Sequence, residues 1–170
     1  MVAAEYVRLS SGRWANGHEG RARRNAVRTN RILGVFLEFR LIPVLLWSYT
    51  AVTLGTALAS YERGGLDWGL YLATLAIAML VQGFETHAIN EIYDWRSGTD
   101  RADAPRVLSG GSKVLNRGLL TVRGLWAIFA VSSALIWGLA AYLFVTRSWT
   151  LIAFVLPGYL SGLLYTLPPV

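Results

Sequence analysis

Cysteine is absent from this chain of 170 residues, and charged residues make up only 15% of it. The absence of cysteine excludes disulfide bonds and thiolate metal sites. With 54% hydrophobic residues and a mean hydropathy of +0.42, the chain is too apolar for an ordinary soluble domain and is typical of a membrane protein. Acidic residues are also missing from the whole sequence after Asp103. This absence excludes a second carboxylate cluster from that part of the chain.

Four apolar segments are each long enough to cross a hydrocarbon core of about 30 Å, which takes a helix of about 20 residues. The predicted spans are 41–60, 68–90, 124–146 and 149–167. The last contains Pro157, which membrane helices tolerate, and Gly158 with Gly162, a pair of small residues suited to close helix packing. We therefore predict an all-α, multi-pass transmembrane bundle of four spans. A soluble bundle of four helices would need polar outer faces, and these segments have almost none.

Positive charge is concentrated on one side of these spans. Fourteen of the sixteen lysines and arginines lie in the segment 1–40 or in the loop 91–123, and only Arg63 and Arg147 lie on the other side. Because cytoplasmic flanks carry such an excess, we predict that the amino terminus, this loop and the carboxy terminus face the cytoplasm at the cell membrane. Residues 1–40 are expected to form a basic, disordered arm, and residues 41–170 the membrane domain. The orientation accounts for the basic charge, and the arm lacks a nucleic-acid-binding pattern.

A group of carboxylates lies where the second span meets the loop. If that span continues as a helix through Asp94, then His87, Asn90 or Glu91, and Asp94 share one face. Their oxygen atoms suit Mg²⁺, which prefers one or two carboxylates together with substrate phosphate oxygens. Asp100, beyond a glycine break, can fold back over the same place. These residues predict a site for Mg²⁺ and a diphosphate.

Cationic residues farther along the loop, Arg101, Arg106 and Lys113, are suited to neutralising phosphate charge. The alternative is a solvated loop with paired surface charges, which contribute little energy. Carboxylates grouped at the end of a span favour the functional interpretation. Single residues nearby have structural alternatives: His87 as a hydrogen-bonded histidine, and Glu85 as the partner of an arginine at the membrane interface.

The stretch from Asn90 to Asp100, followed by Arg106 and Ser109-Gly110, resembles the first aspartate-rich motif of the UbiA superfamily of intramembrane prenyltransferases. Its Gly98-Thr99-Asp100 is more similar to the dihydroxynaphthoate-type, menaquinone-pathway branch than to the hydroxybenzoate branch. Asn90, Asp94 and Asp100 match the motif, and Glu91 stands where the family usually has Asp.

The two ends of the membrane domain also resemble this family. Arg40 and Pro43 are similar to the start of its first span, and residues 165–169 are similar to the end of its fourth span. The resemblance therefore covers roughly residues 40–170.

The resemblance implies a helical membrane enzyme that transfers a prenyl group from an allylic prenyl diphosphate to an aromatic or quinone-precursor acceptor, with Mg²⁺ as cofactor. It implies the following site residues: Asn90, Glu91, Asp94 and Asp100 for the metal, Asp94 and Asp100 for catalysis, and Asn90, Arg106, Lys113 and Arg40 for the diphosphate.

The chain also departs from this family. Its members have about twice as many spans and a second aspartate-rich loop, whereas no acidic residue follows Asp103 here. The sequence is therefore expected to be the amino-terminal half of such an enzyme, completed by a second polypeptide or by self-association. A non-catalytic four-span subunit that pairs with a separate second half is the alternative. Half of a transporter is a third hypothesis, suggested by Pro157, but the charges lie in the loop rather than at the bilayer midplane.

Overall fold

The computed structural model describes residues 30–98 and 111–166, and all regular structure in these two ranges is helical. The helices are α1 (30–38), α2 (41–63), α3 (Trp68–Ser97), α4 (Val122–Thr146) and α5 (Trp149–Thr166). The predicted all-α class is confirmed for the described residues. The predicted basic arm, residues 1–40, lies mostly outside them, and its last part forms α1.

The first helix, α1, buries one narrow face. Gly34 and Glu38 are buried and Leu37 is half-buried, which is the three- and four-residue spacing of one helix face. A side chain at Gly34 would meet Leu120 Cγ at 2.9 Å and the backbone oxygen of Leu119 at 3.2 Å. Glycine therefore lets α1 lie directly against the chain segment that precedes α4.

The second helix, α2, follows a sharp change of direction at Arg40, whose φ of 45° is left-handed. It is built from an α-helical turn, Leu41–Val44, a π-helical turn, Leu45–Tyr49, and a regular α-helix, Thr50–Arg63. The regular part has 14 residues, fewer than the roughly 20 that a span needs.

The third helix, α3, has a defined start and end. The Asp67 side chain accepts a hydrogen bond from Leu70 N–H at 3.0 Å, and Gly98 ends the helix with a φ of 81°. A π-helical turn, Val81–Glu85, interrupts it in the middle. Because α3 ends at Ser97, it continues through Asp94, which is the condition for His87, Asn90 and Asp94 to share one helix face. It extends past residue 90, the predicted end of the span.

The last two helices are also capped by their own sequence. Thr121 Oγ1 accepts from Gly124 N–H at 3.1 Å before α4, and Ser148 Oγ accepts from Thr150 N–H at 3.2 Å before α5. These caps explain why the observed helices begin within two residues of the predicted spans 124–146 and 149–167.

Within residues 30–98 and 111–166, three helices are long and apolar enough to cross a membrane: α3, α4 and α5. They correspond to the second, third and fourth predicted spans. The first predicted span, 41–60, lies in α2, which is helical but is not among the three. The structure therefore supports a membrane protein with three candidate spans, and a fourth span is not confirmed.

The hydrophobic core consists of two clusters along α3 and α4, which run antiparallel. Near the Ser97 end of α3, Ala88 and Ile92 pack with Val114 and Leu125. Toward the Trp68 end, Ile77 packs with Ile136, Ala140 and Leu143 of α4. The first part joins α3, the start of α4 and the segment 111–120, and so positions the polar residues described next.

Candidate functional site

The last turns of α3 carry the matched motif residues Asn90 and Asp94. They lie one helical turn apart, and Asn90 Nδ2 donates a hydrogen bond to Asp94 Oδ2 at 2.7 Å. Both side chains are half-buried. Because only the amide NH₂ can donate to a carboxylate, this contact leaves Asn90 Oδ1 and Asp94 Oδ1 available as oxygen ligands. The structure thus brings these two predicted residues together.

Glu91, the third predicted residue in this stretch, has different neighbours. Its Oε2 accepts hydrogen bonds from Ser112 Oγ at 3.0 Å and from Lys113 N–H at 2.9 Å, and its Oε1 accepts from Leu115 N–H at 3.2 Å. Only 2% of Glu91 is exposed. The carboxylate of Glu91 is therefore hydrogen-bonded to the segment that precedes α4. The prediction that Glu91 binds metal stays a prediction.

Lys113, a predicted phosphate-binding residue, is 3% exposed. Its φ is +54°, and the φ of nearby Gly111 is +58°. Left-handed backbone is easy for glycine but uncommon for lysine, so the conformation of Lys113 must be supported by its surroundings.

A carboxylate that sequence reasoning missed, Glu38 of α1, lies at the same place. It is fully buried, and the Ser112 hydroxyl forms a short hydrogen bond with its Oε2 while Glu38 Oε1 has no partner within the described part of the chain. Its signal in the sequence was an isolated acidic residue in an apolar stretch just before Arg40. Glu38 and Ser112 are 74 residues apart in sequence, so helical spacing could not predict that they meet.

The electrostatics of Glu38 follow from this environment. Burial raises the pKa of Glu38 to about 7; the charge of Glu91 also raises the pKa, whereas the Ser112 hydrogen bond and the charge of Arg40 lower it. One hydroxyl hydrogen cannot serve both carboxylates at once. Protonated Glu38 can instead donate to Ser112 Oγ while Ser112 donates to Glu91. The three side chains are then joined by two hydrogen bonds, which favours neutral Glu38.

Arg40, predicted to contact the diphosphate, connects α1 to α2 and is close enough to act electrostatically on Glu38. His87, one turn before Asn90, has a buried Nε2 with no hydrogen-bond partner among the residues described. Both residues therefore lie close to the Asn90–Asp94 pair.

Two predicted site residues, Asp100 and Arg106, lie outside the described residues, as do Arg101 and Asp103. Within residues 30–98 and 111–166, no group of three or more His, Cys, Asp or Glu side chains is arranged to hold a metal ion. Of the four predicted metal ligands, Asn90, Glu91 and Asp94 lie in the described ranges, and the structure brings the side chains of Asn90 and Asp94 together.

Glu85 lies deeper in α3, away from this pair. Its Oε1 accepts from Ser133 Oγ of α4, and the hydroxyl of Tyr159 of α5 donates to Ser133 Oγ at 3.4 Å. Glu85 is 1% exposed, and its Oε2 lacks a partner in the described ranges. Hydroxyl groups, rather than the arginine considered from the sequence, are the observed neighbours of this carboxyl group.

A cavity of about 450 Å³ lies toward the opposite end of the bundle. It is bounded by α2 and α3, with α4 and α5 contributing Leu143 and Phe154, and its lining is mostly apolar. Ile77, its nearest lining residue on α3, is 13 residues from Asn90, about 20 Å along a helix. The cavity and the motif pair are therefore separate features.

Comparison of the chain with protein-family models, with curated proteins and with solved structures finds no match.

Proposed function

We propose that this chain is an integral membrane prenyltransferase, or the first half of one, that takes an allylic prenyl diphosphate as donor and an aromatic or quinone-precursor molecule as acceptor. The observation that carries the proposal is the Asn90–Asp94 pair at the end of a candidate span, with two ligand oxygens left available. The resemblance of this stretch to the first aspartate-rich motif supplies the reaction class.

The donor set fits Mg²⁺. Asn90 Oδ1 and Asp94 Oδ1 are hard oxygen ligands, and Mg²⁺ is commonly held by one or two such protein groups together with substrate phosphates. Asp100 is assigned to the same ion from the sequence. When bound, Mg²⁺ stabilises the negative charge that develops on the leaving diphosphate.

The chain's own cationic residues are assigned to the diphosphate oxygens. Arg40 and Lys113 belong to the described part, and Arg106 is added from the sequence. In the proposed reaction, the allylic C–O bond breaks and diphosphate leaves with the bonding electron pair. A ring carbon of the acceptor then forms a new C–C bond and loses its proton. Residues around the donor promote the first step electrostatically.

The proposed setting is the cell membrane. We place the Ser97 end of α3 at the cytoplasmic face because the lysines and arginines are concentrated on that side. In this arrangement α2 serves as the fourth span. The lipid bilayer is then a partner of the chain, and nucleic acid is not.

A binding experiment tests the proposal. Protein purified in detergent is incubated with labelled prenyl diphosphate, with Mg²⁺ or with a chelator, and retention of the label is measured. We expect retention that requires Mg²⁺, and transfer to an added aromatic acceptor once a second half is supplied. Equal retention with and without Mg²⁺, or none, would contradict the proposed donor site.

A non-catalytic subunit that pairs with a separate second half is the second candidate. It is favoured by α5, because only 6% of its most apolar window is buried in this chain. Purification from native membranes distinguishes the two functions. A stable partner with turnover only in the complex supports the subunit, and turnover by the isolated chain excludes it.

A further inference from the structure

Glu91 extends from α3 to the segment 111–115 and is bound there by three donors. Two are backbone N–H groups, of Lys113 and Leu115, and the third is the Ser112 hydroxyl. The contacts bridge 21 to 24 residues of sequence, so they join two separate parts of the fold.

The backbone around Lys113 forms a turn whose N–H groups can bind an anion. Gly111 and Lys113 both have positive φ, and such turns direct neighbouring N–H groups to one point. The anion at that point is the Glu91 carboxylate. Hydrogen bonds to an ionised acceptor are stronger than neutral ones, so this contact is suited to holding a strained turn in place.

A metal ion at Glu91 would have to compete with these donors. Both carboxylate oxygens already accept hydrogen bonds, and the side chain is 2% exposed. Asn90 and Asp94, in contrast, are half-buried, and among the described residues the hydrogen bond shown for their side chains is the one from Asn90 Nδ2 to Asp94 Oδ2. Adjacent residues of α3 are thus placed for two different tasks.

We propose that Glu91 is a positioning residue rather than a metal ligand: its carboxylate docks the 111–115 turn on α3 and so sets the place of Lys113 relative to Asn90 and Asp94. The consequence for diphosphate binding rests on the proposed function. The docking itself does not depend on that function.

Amide hydrogen exchange tests the docking. In Glu91→Gln, which keeps the size of the side chain and removes its charge, the amides of Lys113 and Leu115 should exchange about tenfold faster, because each loses a charge-assisted bond. Glu62→Gln is the matched control, since Glu62 is exposed at the other end of the bundle. Unchanged exchange at 113–115 in Glu91→Gln would overturn the proposal.

Ser112→Ala provides a milder variant, in case Glu91→Gln does not fold. It removes one of the three donors and should accelerate the same two amides by a smaller factor. Because both residues belong to one network, the double variant should be less affected than the product of the two single effects. If the acceleration of amide exchange in the double variant equals the product of the two single accelerations, a shared docking contact is contradicted.

Magnesium titrations with inorganic pyrophosphate as the probe distinguish positioning from ligation. We expect Glu91→Gln to weaken pyrophosphate binding about tenfold with the Mg²⁺ midpoint unchanged, whereas Asp94→Asn shifts that midpoint. A midpoint that shifts equally in Glu91→Gln would make Glu91 a ligand and end the proposal. If the wild-type protein binds no pyrophosphate, the proposed function fails, and the exchange experiment still decides whether Glu91 docks the turn.

Discussion

The ionisable side chains at the Ser97 end of α3 are buried, whereas those at its Trp68 end are exposed. Glu38, Glu91 and Lys113 are each at most 3% exposed at the first end. At the second end, Asp67 and Arg147 form an ion pair with 43% of each side chain exposed. Burying charge is costly unless each group is hydrogen-bonded or paired. The ionisable groups at the Ser97 end therefore depend on hydrogen bonds within the protein, whereas those at the Trp68 end remain in contact with solvent.

The two ends also differ in packing. Gly162 of α5 approaches α3 so closely that an added Cβ would meet Thr86 Oγ1 at 2.7 Å. Farther toward the other end, Gly158 has no atom within 4 Å of such a Cβ, and the cavity of about 450 Å³ remains between the helices. Gly162 therefore lies at a close contact between α5 and α3, whereas Gly158 lies on an exposed face of α5.

The largest effect is expected from Asp94→Asn at the Ser97 end. Removing the charge should weaken binding of labelled prenyl diphosphate in the presence of Mg²⁺ by about ten- to a hundredfold, because a charge-assisted contact to the metal is lost. With a chelator present, the variant and the wild type should fall to the same low residual binding. Filter binding measures both conditions, with Glu62→Gln as the control at the opposite end. An equal loss with and without Mg²⁺ would contradict the role of Asp94.

A pH effect of similar size is expected from Glu38. The pKa of Glu38 is about 7 in the folded protein against an ordinary value of 4.5, so the folded state binds more protons between these two values. Stability should therefore fall as pH rises through this window, by at most about 3–4 kcal/mol, and change little above it on this account.

Thermal unfolding in detergent from pH 4.5 to 8 measures this dependence. Glu38→Gln keeps the side chain neutral at every pH and should flatten the profile, whereas Glu62→Gln should retain the wild-type profile. A Glu38→Gln profile as steep as that of the wild type would show that Glu38 is not the group responsible.

Effects of intermediate size on stability are expected when Gly162 and Gly158 of α5 are replaced, and they should differ between the two positions. Gly162→Ala should destabilise the fold by about 1–3 kcal/mol, because the new methyl group overlaps Thr86 Oγ1 and approaches Val81 Cγ1 at 3.2 Å. Gly158→Ala has open space and should be neutral or stabilising by up to about 1 kcal/mol, through helix propensity. Unfolding of the two variants in one detergent provides the comparison, and equal losses would contradict the difference in packing.

The smallest effect is expected at the Trp68 end. Arg147→Gln removes the 2.9 Å ion pair with Asp67 and leaves the Asp67 cap on Leu70 N–H intact. Exposed pairs contribute about 0–1 kcal/mol, so the loss should lie in that range and shrink with added salt. A loss above about 2 kcal/mol would mean that this end also depends on its charges.

Local patterns predicted the parts of the fold that depend on local physics. Trp68, Thr146 and Trp149 are ends of both the predicted spans and the observed helices. The i to i+4 relation between Asn90 and Asp94 also followed from helical periodicity once α3 was taken to continue. The assignment of residues 30–38 to a disordered arm did not anticipate α1, because the arginine-rich composition gave no sign of the contact between Gly34 and Leu120.

The sequence by itself predicted an all-helical, apolar chain with four membrane spans, of which three are candidate spans in the described part of the structure, and it located the polar cluster at one end of α3. These properties follow from hydropathy, charge and helical spacing, which depend only on residues within a few helical turns of one another. Only the tertiary structure decided that Glu91 docks the turn at Lys113, that Glu38 joins it through Ser112, and that Gly162 rather than Gly158 makes the close contact. The physical reason is that tertiary packing brings together residues that are 74 or 80 positions apart in sequence, and no local pattern encodes which of them meet.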